Sequence, residues 1–159
     1  MNAISKLTYK SPIGLLEIIS IDDAIVGVDI TDKKEQVNGG EISMKLAEKA
    51  VAELEEYFAG TRKSFDLPLK SEGTDFQQKV WQQLEKIPYG ETRTYGEIAE
   101  PLDNPKAARA IGMANNRNPI LILRPCHRVI GADGSLTGYA AGIKAKKFLL
   151  DLEKATDVK

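Results

Sequence analysis

Reactive side chains are scarce in this 159-residue chain, which has one cysteine and one histidine. A single cysteine closes no internal disulfide, which points to a reducing, cytoplasmic setting. Structural zinc draws four ligands mainly from Cys and His, so no metal is expected. No apolar run approaches the ~20 residues of a membrane span. The start, Met1-Asn2-Ala3-Ile4-Ser5-Lys6, lacks the apolar core of a signal peptide. What is present, 42% hydrophobic and 28% charged residues, describes a soluble globular protein of one ordinary domain or two small ones.

The net charge is only −1, but the halves differ. Residues 1–72 carry 9 basic and 13 acidic side chains; residues 73–159 carry 13 basic and 10 acidic. Such asymmetry hints that the second half meets a polyanion, although ordinary surface variation produces the same pattern.

Along the chain, Leu7-Thr8-Tyr9, Leu15 to Ile21 and Ile25 to Ile30 read as a β-meander with turns at Ser11–Gly14 and Asp22–Ala24. Residues 32–40 read as a loop. Ala47, Ala50, Val51, Leu54 and Phe58 then recur at helical spacing within a helix from Glu41 to Phe58, and Gly60 is its stop. Ser64 to Leu67 reads as a short extended piece, and Pro68 to Gly73 as a linker. This places a boundary between domains 1–72 and 73–159. Thr74-Asp75-Phe76-Gln77 has capping-box spacing and opens a helix striped by Phe76, Val80, Leu84 and Ile87, with Trp81 beside them in the core. Thr94-Tyr95-Gly96-Glu97 opens a short second helix, Pro101 to Pro105 a turn, and Lys106 to Asn115 a third helix. Short helix, turn, helix is the helix-turn-helix pattern. Ala107, Ala108, Ala110, Gly112 and Ala114 make the last of these unusually small-faced. Asn118-Pro119 and apolar Ile120–Leu123 follow, then a short strand at Val129-Ile130, a hairpin-type turn at Asp133-Gly134, and a final helix Ile143 to Glu153 with Ile143, Leu149, Leu150 and Leu152 as core.

The sole cysteine and the sole histidine are neighbours, Cys126-His127. A lone Cys is ordinarily a buried, inert small hydrophobe. It is a nucleophile when a base makes its thiolate, since a free thiol has a pKa near 8.5. Adjacent side chains of an extended segment point to opposite faces, so this pair needs a bend or a bridging water to cooperate. His127 also needs an acceptor to set its tautomer, and Glu153 is a candidate.

The run Pro125-Cys126-His127-Arg128-Val129-Ile130-Gly131 resembles the active-site signature of the O6-alkylguanine-DNA alkyltransferase family, the methylated-DNA–protein-cysteine methyltransferases. Ser11-Pro12-Ile13-Gly14, Ile87-Pro88-Tyr89-Gly90, Thr94–Ala99, Asn104–Gly112, Asn118-Pro119, Gly134–Tyr139 and Leu149–Glu153 are similar to other stretches of that family. The resemblance is strong over residues 74–153 and looser before. It implies direct DNA repair, in which an alkyl group moves once and irreversibly from guanine O6 to Cys126. His127 acts as base through a water, Glu153 orients His127, and Tyr95 donates a proton at guanine N3. The partner is double-stranded DNA, bound in the minor groove by the recognition helix with Ala108 and Gly112. The target base is flipped out, and Arg109 fills its place in the stack. Asn118 is the hinge, backbone groups of Cys126, Val129 and Ala140 read guanine, and Tyr139 lines the pocket. Arg128 is a structural ion-pair partner. The protein is expected to be a monomer.

The fold implied is an α/β N-terminal ribonuclease-H-like domain, acting as support, plus a mostly α C-terminal winged helix-turn-helix domain. Three positions depart from the family pattern. Arg124 stands where Ile or Val is usual, Leu121 where several members have Pro, and Ala140 where Ser is frequent. A buried, unpaired Arg124 would be costly, so it must reach solvent, an acid or a phosphate. Alternatives are a non-catalytic lesion binder of the alkyltransferase-like kind, which replaces the cysteine, a Cys–His–Glu hydrolase, and a plain helix-turn-helix transcription factor. Neither of the last two accounts for Pro125–Val129 together with Tyr95 and Arg109.

Overall fold

The computed structural model describes residues 3–103, 107–136 and 138–157, with no side chain described for residues 156 and 157. The chain divides into two compact units, Met1–Ser71 and Glu72–Lys159.

In the first unit three strands, β1 (Ile4–Ser11), β2 (Gly14–Ile21) and β3 (Ala24–Ile30), form an antiparallel sheet in the order β1-β2-β3. Ser11 pairs with Gly14 across a two-residue turn, and Gly14 has φ +124, a conformation that L side chains rarely adopt. Leu16 and Ile18 alternate inward from β2 and meet helix α1 (Glu41–Phe58). Its stripe of Ala47, Ala50, Leu54 and Tyr57 is fully buried. Burial of a side chain such as Leu54 contributes about 2 kcal/mol. Two polar residues of α1 that periodicity does not flag are buried as well. Ser43 shares a hydrogen bond with Ser5 and accepts one from Ser20 through its carbonyl. Glu53 accepts from the Asp66 amide and pairs with Lys49 and Arg62.

The stretch Ser64–Leu67 is irregular rather than a strand. The ladder contact falls later, at Leu69, which bridges Ile25 in parallel. The reason is that the Asp66 amide is already used by the Glu53 carboxylate.

In the second unit, α2 (Asp75–Glu85) opens with the expected capping box on Thr74. Helix α3 (Tyr95–Ala99), preceded by strand β4 (Arg93–Thr94), has its own on Thr94. A 3-10 turn, Glu100–Leu102, follows α3, and α4 (Ala108–Asn116) packs against both α2 and α3. Residues 104–106, which carry the start of the expected third helix, lie outside the described residues, as does Thr137.

The small residues of α4 do not share one face. Ala107 and Ala114 are buried with Ile111, whereas Ala108 and Ala110 are exposed and Gly112 is half-buried. At 100° per residue Ala107, Ile111 and Ala114 cluster within about 60° of arc, with Ala108 and Gly112 to one side of them and Ala110 to the other. Trp81 is core as expected, and its indole N–H donates to the Ala114 carbonyl at 2.9 Å.

Strand β5 (Val129–Ile130) is no hairpin arm. It pairs in parallel with β4, which brings the end of the Cys126 segment beside the start of α3. Asp133-Gly134 does turn, with the Gly134 amide on the Gly131 carbonyl at 2.9 Å. The last helix, α5 (Ile143–Asp157), buries Leu149 but leaves Ile143 exposed at its first position. Its buried face instead includes Ala145, Lys146 and Glu153, two of them charged.

Candidate active site

Asn118 to Val129 forms a buried loop that is shaped by one side chain. The Asn118 amide oxygen accepts from the Ile120 N–H at 3.0 Å, and its NH2 donates to the carbonyls of Ile120 at 3.1 Å and Arg124 at 2.9 Å. These bonds hold a strained backbone. Ile122 has φ +70, and the Leu123 amide reaches back to the Leu121 carbonyl at 2.7 Å, a γ-turn centred on a β-branched residue. Such a conformation costs on the order of 1–3 kcal/mol and persists only where neighbours over-determine it. The loop ends in a 3-10 turn, Cys126–Arg128, which supplies the bend that two adjacent reactive side chains require.

Within that turn Cys126, His127 and Arg128 are all buried. His127 sits 2.7 Å from Glu153 through Nε2. Because a carboxylate only accepts, Nε2 carries the proton and donates, so Nδ1 of the neutral ring presents its lone pair. Nδ1 is buried and has no hydrogen-bond partner among the described residues. Glu153 is held in turn by Arg128, whose Nε and Nη2 donate to its two oxygens at 2.8 and 3.0 Å, and by the Gly90 amide at 3.2 Å. The third arm of Arg128, Nη1, donates to the Ile87 carbonyl at 2.8 Å, and the guanidinium lies 5.6 Å from the Tyr89 ring centre. Burial pushes the Glu153 carboxyl up, but His127 and Arg128 outweigh it and hold the carboxyl down at about 2. Burial pulls His127 below its ordinary value against the pull of Glu153, so the imidazole rests neutral, as a base must.

The thiol is far from ionised. Burial raises Cys126 to about 11, opposed by a hydrogen bond from the Asn118 side chain and by the charges of Lys146 and Arg124. At neutral pH roughly one thiol in ten thousand is then thiolate. Lys146 is a residue that sequence reasoning missed. It sits in the first turn of α5, fully buried, with Nζ donating to the Val129 carbonyl at 2.5 Å. Desolvation pulls its own pKa down and Cys126 pulls it up. Asn115 was also missed: from α4 its NH2 donates to the Cys126 carbonyl at 3.3 Å. Only a helical phase argument run inward from Ile111 would have found it.

The remaining candidates lie around this centre. Tyr139 is buried with its ring edge-on to His127, centres 6.4 Å apart at 75°. Tyr95, first residue of α3, is half-buried, and a Cβ added at Gly112 would lie 3.8 Å from its ring. Ala108 and Arg109 are exposed on α4, and Ala140 is exposed just after Tyr139. Val129 is buried, its carbonyl taken by Lys146. The structure therefore places Cys126, His127, Asn118 and Val129 on one buried loop and ties Glu153 to it through His127 and Arg128. It leaves Ala108, Arg109 and Ala140 on the surface. Among the described residues no three His, Cys, Asp or Glu side chains gather as a metal site would, and no helix is long and apolar enough to cross a membrane.

These ionisations predict how stability varies with pH. His127 and Glu153 bind protons less readily folded than unfolded. Their contributions are therefore complete above about pH 6.5 and about pH 4.5 respectively, and each is lost as pH falls, for Glu153 down to about 2. Cys126 runs the other way: its contribution is complete below pH 9.0 and is lost as pH rises towards about 11. Urea midpoints measured from pH 3 to pH 11 should show both limbs. Cys126→Ala should lack the part of the alkaline fall that belongs to the thiol; an identical alkaline limb in that variant would contradict the assignment.

Two family models cover the chain. "6-O-methylguanine DNA methyltransferase, ribonuclease-like domain" matches residues 4–71, and "6-O-methylguanine DNA methyltransferase, DNA binding domain" matches residues 75–155. Among curated proteins, the methylated-DNA–protein-cysteine methyltransferase of Methanosarcina acetivorans is 51% identical over 148 residues, 91% of this chain and 95% of that protein. The constitutive enzyme of Bacillus subtilis is 50% identical over 155 residues, 92% and 93%. Among solved structures, Mycobacterium tuberculosis OGT in complex with DNA superposes with a TM-score of 0.85 at 46% identity, covering 95% of this chain and 93% of that one. With both domain models matched and half the residues identical to full-length relatives, this chain belongs to the 6-O-methylguanine DNA methyltransferase family.

Proposed function

We propose that Cys126 takes the alkyl group from O6 of a guanine flipped out of duplex DNA, with His127 as base and Glu153 as the group that orients it. The overall reaction is that of the family: direct repair of O6-methylguanine by S-methyl transfer to a protein cysteine, once per molecule. The observation that carries the residue assignment is the buried His127, committed through Nε2 to Glu153 and open at Nδ1, beside the chain's sole thiol.

In the proposed step the thiol proton passes to His127 Nδ1 through a water. The sulfur lone pair forms the S–C bond, the C–O6 bond breaks, and its electron pair stays on guanine. A proton from Tyr95 at N3 neutralises that charge in the transition state, a contribution of the general-acid kind. The product is a thioether, which no thiol or water removes readily, so the reaction ends there and needs no cofactor. The imidazolium formed is stabilised by Glu153, whose carboxyl is ionised throughout.

Helices α3 and α4 read as a helix-turn-helix, with β5 and the following turn as its wing. The exposed side of α4, with Ala108, Arg109 and Gly112, enters the minor groove, and Arg109 takes the space of the flipped base. Tyr139 walls the pocket, and backbone groups of Cys126, Val129 and Ala140 read the guanine edge. Residues 1–72 support residues 73–159, the protein works as a monomer, and a reducing compartment such as the cytoplasm keeps Cys126 reduced.

The test is the intact mass after incubation with duplex DNA carrying O6-methylguanine. The protein should gain one methyl group in place of the thiol hydrogen, and Cys126→Ala should gain nothing. Methyl on any other residue would overturn the assignment. Base flipping costs a few kcal/mol, so Arg109→Ala should slow transfer from duplex DNA roughly a hundredfold while leaving transfer from the free base near wild type. Equal losses on both substrates would remove Arg109 from that role.

A further inference from the structure

We propose that Arg124, held by a clamp on α2, is a positioning residue that turns the Asn118 carboxamide so that its NH2 faces the Cys126 sulfur. The inference rests on the reading of Cys126 as the alkyl acceptor. Arg124 is only 4% exposed, in the middle of an otherwise apolar loop. Its guanidinium meets three groups that need not have been there. The carbon centre lies 5.0 Å from the Trp81 ring centre, Nε donates to Glu85 Oε2 at 3.0 Å, and Nη1 donates to Asn118 Oδ1 at 3.3 Å. Trp81 and Glu85 are four apart on α2 and so share one face of the helix. Together they grip the cation from two sides.

The consequence follows from donor and acceptor chemistry. An Asn carboxamide is nearly symmetric in shape, and only its neighbours decide which end is oxygen. A guanidinium has donors and no acceptor. With Arg124 Nη1 and the Ile120 N–H both on one side, Oδ1 must lie there. The NH2 is thereby turned to the carbonyls of Ile120 and Arg124 and to the thiol, with which the Asn118 side chain also hydrogen-bonds. In the flipped amide two donors would face NH2 and two carbonyls would face oxygen. An aliphatic residue at 124 leaves that orientation to the Ile120 amide alone. A donor at sulfur favours the thiolate over the thiol, and so does the nearby positive charge of Arg124 itself. The other cation acting on the sulfur is Lys146 from α5, and the adjacent ionisable group is His127.

The test is the pH dependence of single-turnover methyl transfer from duplex O6-methylguanine DNA. Arg124→Met should slow transfer about tenfold at neutral pH, the scale of a hydrogen bond to a charged group, and move the thiol inflection to higher pH. Arg124→Lys, which keeps a donor and the charge, should recover most of both. In an Asn118→Ala background Arg124→Met should cost less than it does alone, because the part of its effect that passes through Asn118 is already gone and only that of its own charge remains. Glu85→Gln, a half-exposed change that loosens the clamp, should move the inflection in the same direction even if Arg124→Met does not fold. An unmoved inflection in Arg124→Met, or in Glu85→Gln where Arg124→Met does not fold, overturns the inference, as does full additivity with Asn118→Ala or an inflection in Arg124→Lys that moves as far as in Arg124→Met. Wild-type protein that gains no methyl at all would instead overturn the acceptor reading, and that outcome is seen before any variant is compared.

Discussion

Glu153→Gln should lower both stability and transfer rate more than any other isosteric change in this chain. The carboxylate receives His127, both inner arms of Arg128 and the Gly90 amide. An amide of the same shape offers one acceptor where two are used, and turns an NH2 towards either Arg128 or His127. Breaking a buried ion pair on one side costs about 3–5 kcal/mol, because the remaining charge stays buried and unmatched. Where the NH2 faces His127 its tautomer is lost as well, since nothing then demands a proton on Nε2. Loss of a positioned general base costs about 10²–10⁴-fold. Urea denaturation and single-turnover transfer kinetics would measure both losses. A variant as stable as wild type would mean that Arg128, not Glu153, anchors the turn.

Lys146→Met carries the second large effect, and its origin differs. The fully buried ammonium donates to the Val129 carbonyl and is one of the charges that draw the Cys126 thiol down. Methionine fills a similar volume without donor or charge. Burial then acts on the thiol with less opposition, so its pKa should climb beyond about 11. The loss of a charge-assisted hydrogen bond at the carbonyl corresponds to about a tenfold effect or more. The expected result is transfer slowed at least tenfold at neutral pH, with partial recovery at alkaline pH where more thiolate forms. Slowing that is equal at every pH would assign Lys146 to holding the shape of Val129 only.

The local elements were legible in the sequence because each has a short-range cause. The two capping boxes, on Thr74 and Thr94, are three-residue events, and both form. The spacing of Ala47, Ala50 and Leu54 determines which side of α1 is buried whatever it packs against. The chemistry was legible through two scarce residues and a seven-residue run. Glu153 could be named from the resemblance, but its distance from His127, 26 positions along the chain, has no local signature.

What failed was long-range pairing. Val129-Ile130 was readable as a strand, yet its partner, the parallel Arg93-Thr94, lies far back in the chain. The small residues of α4 looked like one surface until the positions of α2 and α3 decided which of them face inward. Lys146 gave no signal and Asn115 only its helical phase with Ile111, since polar residues on a helix are ordinarily solvated, and only the packed α5 and α4 put them against the cysteine turn. Arg124 looked like a liability for the same reason. Its partners Trp81 and Glu85 come from a helix some forty residues earlier.

The sequence by itself thus determined the reagent: one thiol, its adjoining base, and the strands and helices whose periods and caps are local. Tertiary structure alone decided how that thiol is tuned. Burial, the two cations and the Asn118 carboxamide act together on Cys126: Asn118 and Arg124 are folded back on it within its own loop, and Lys146 is brought to it from α5. Electrostatic effects depend on distance and desolvation, and neither is written in residue order.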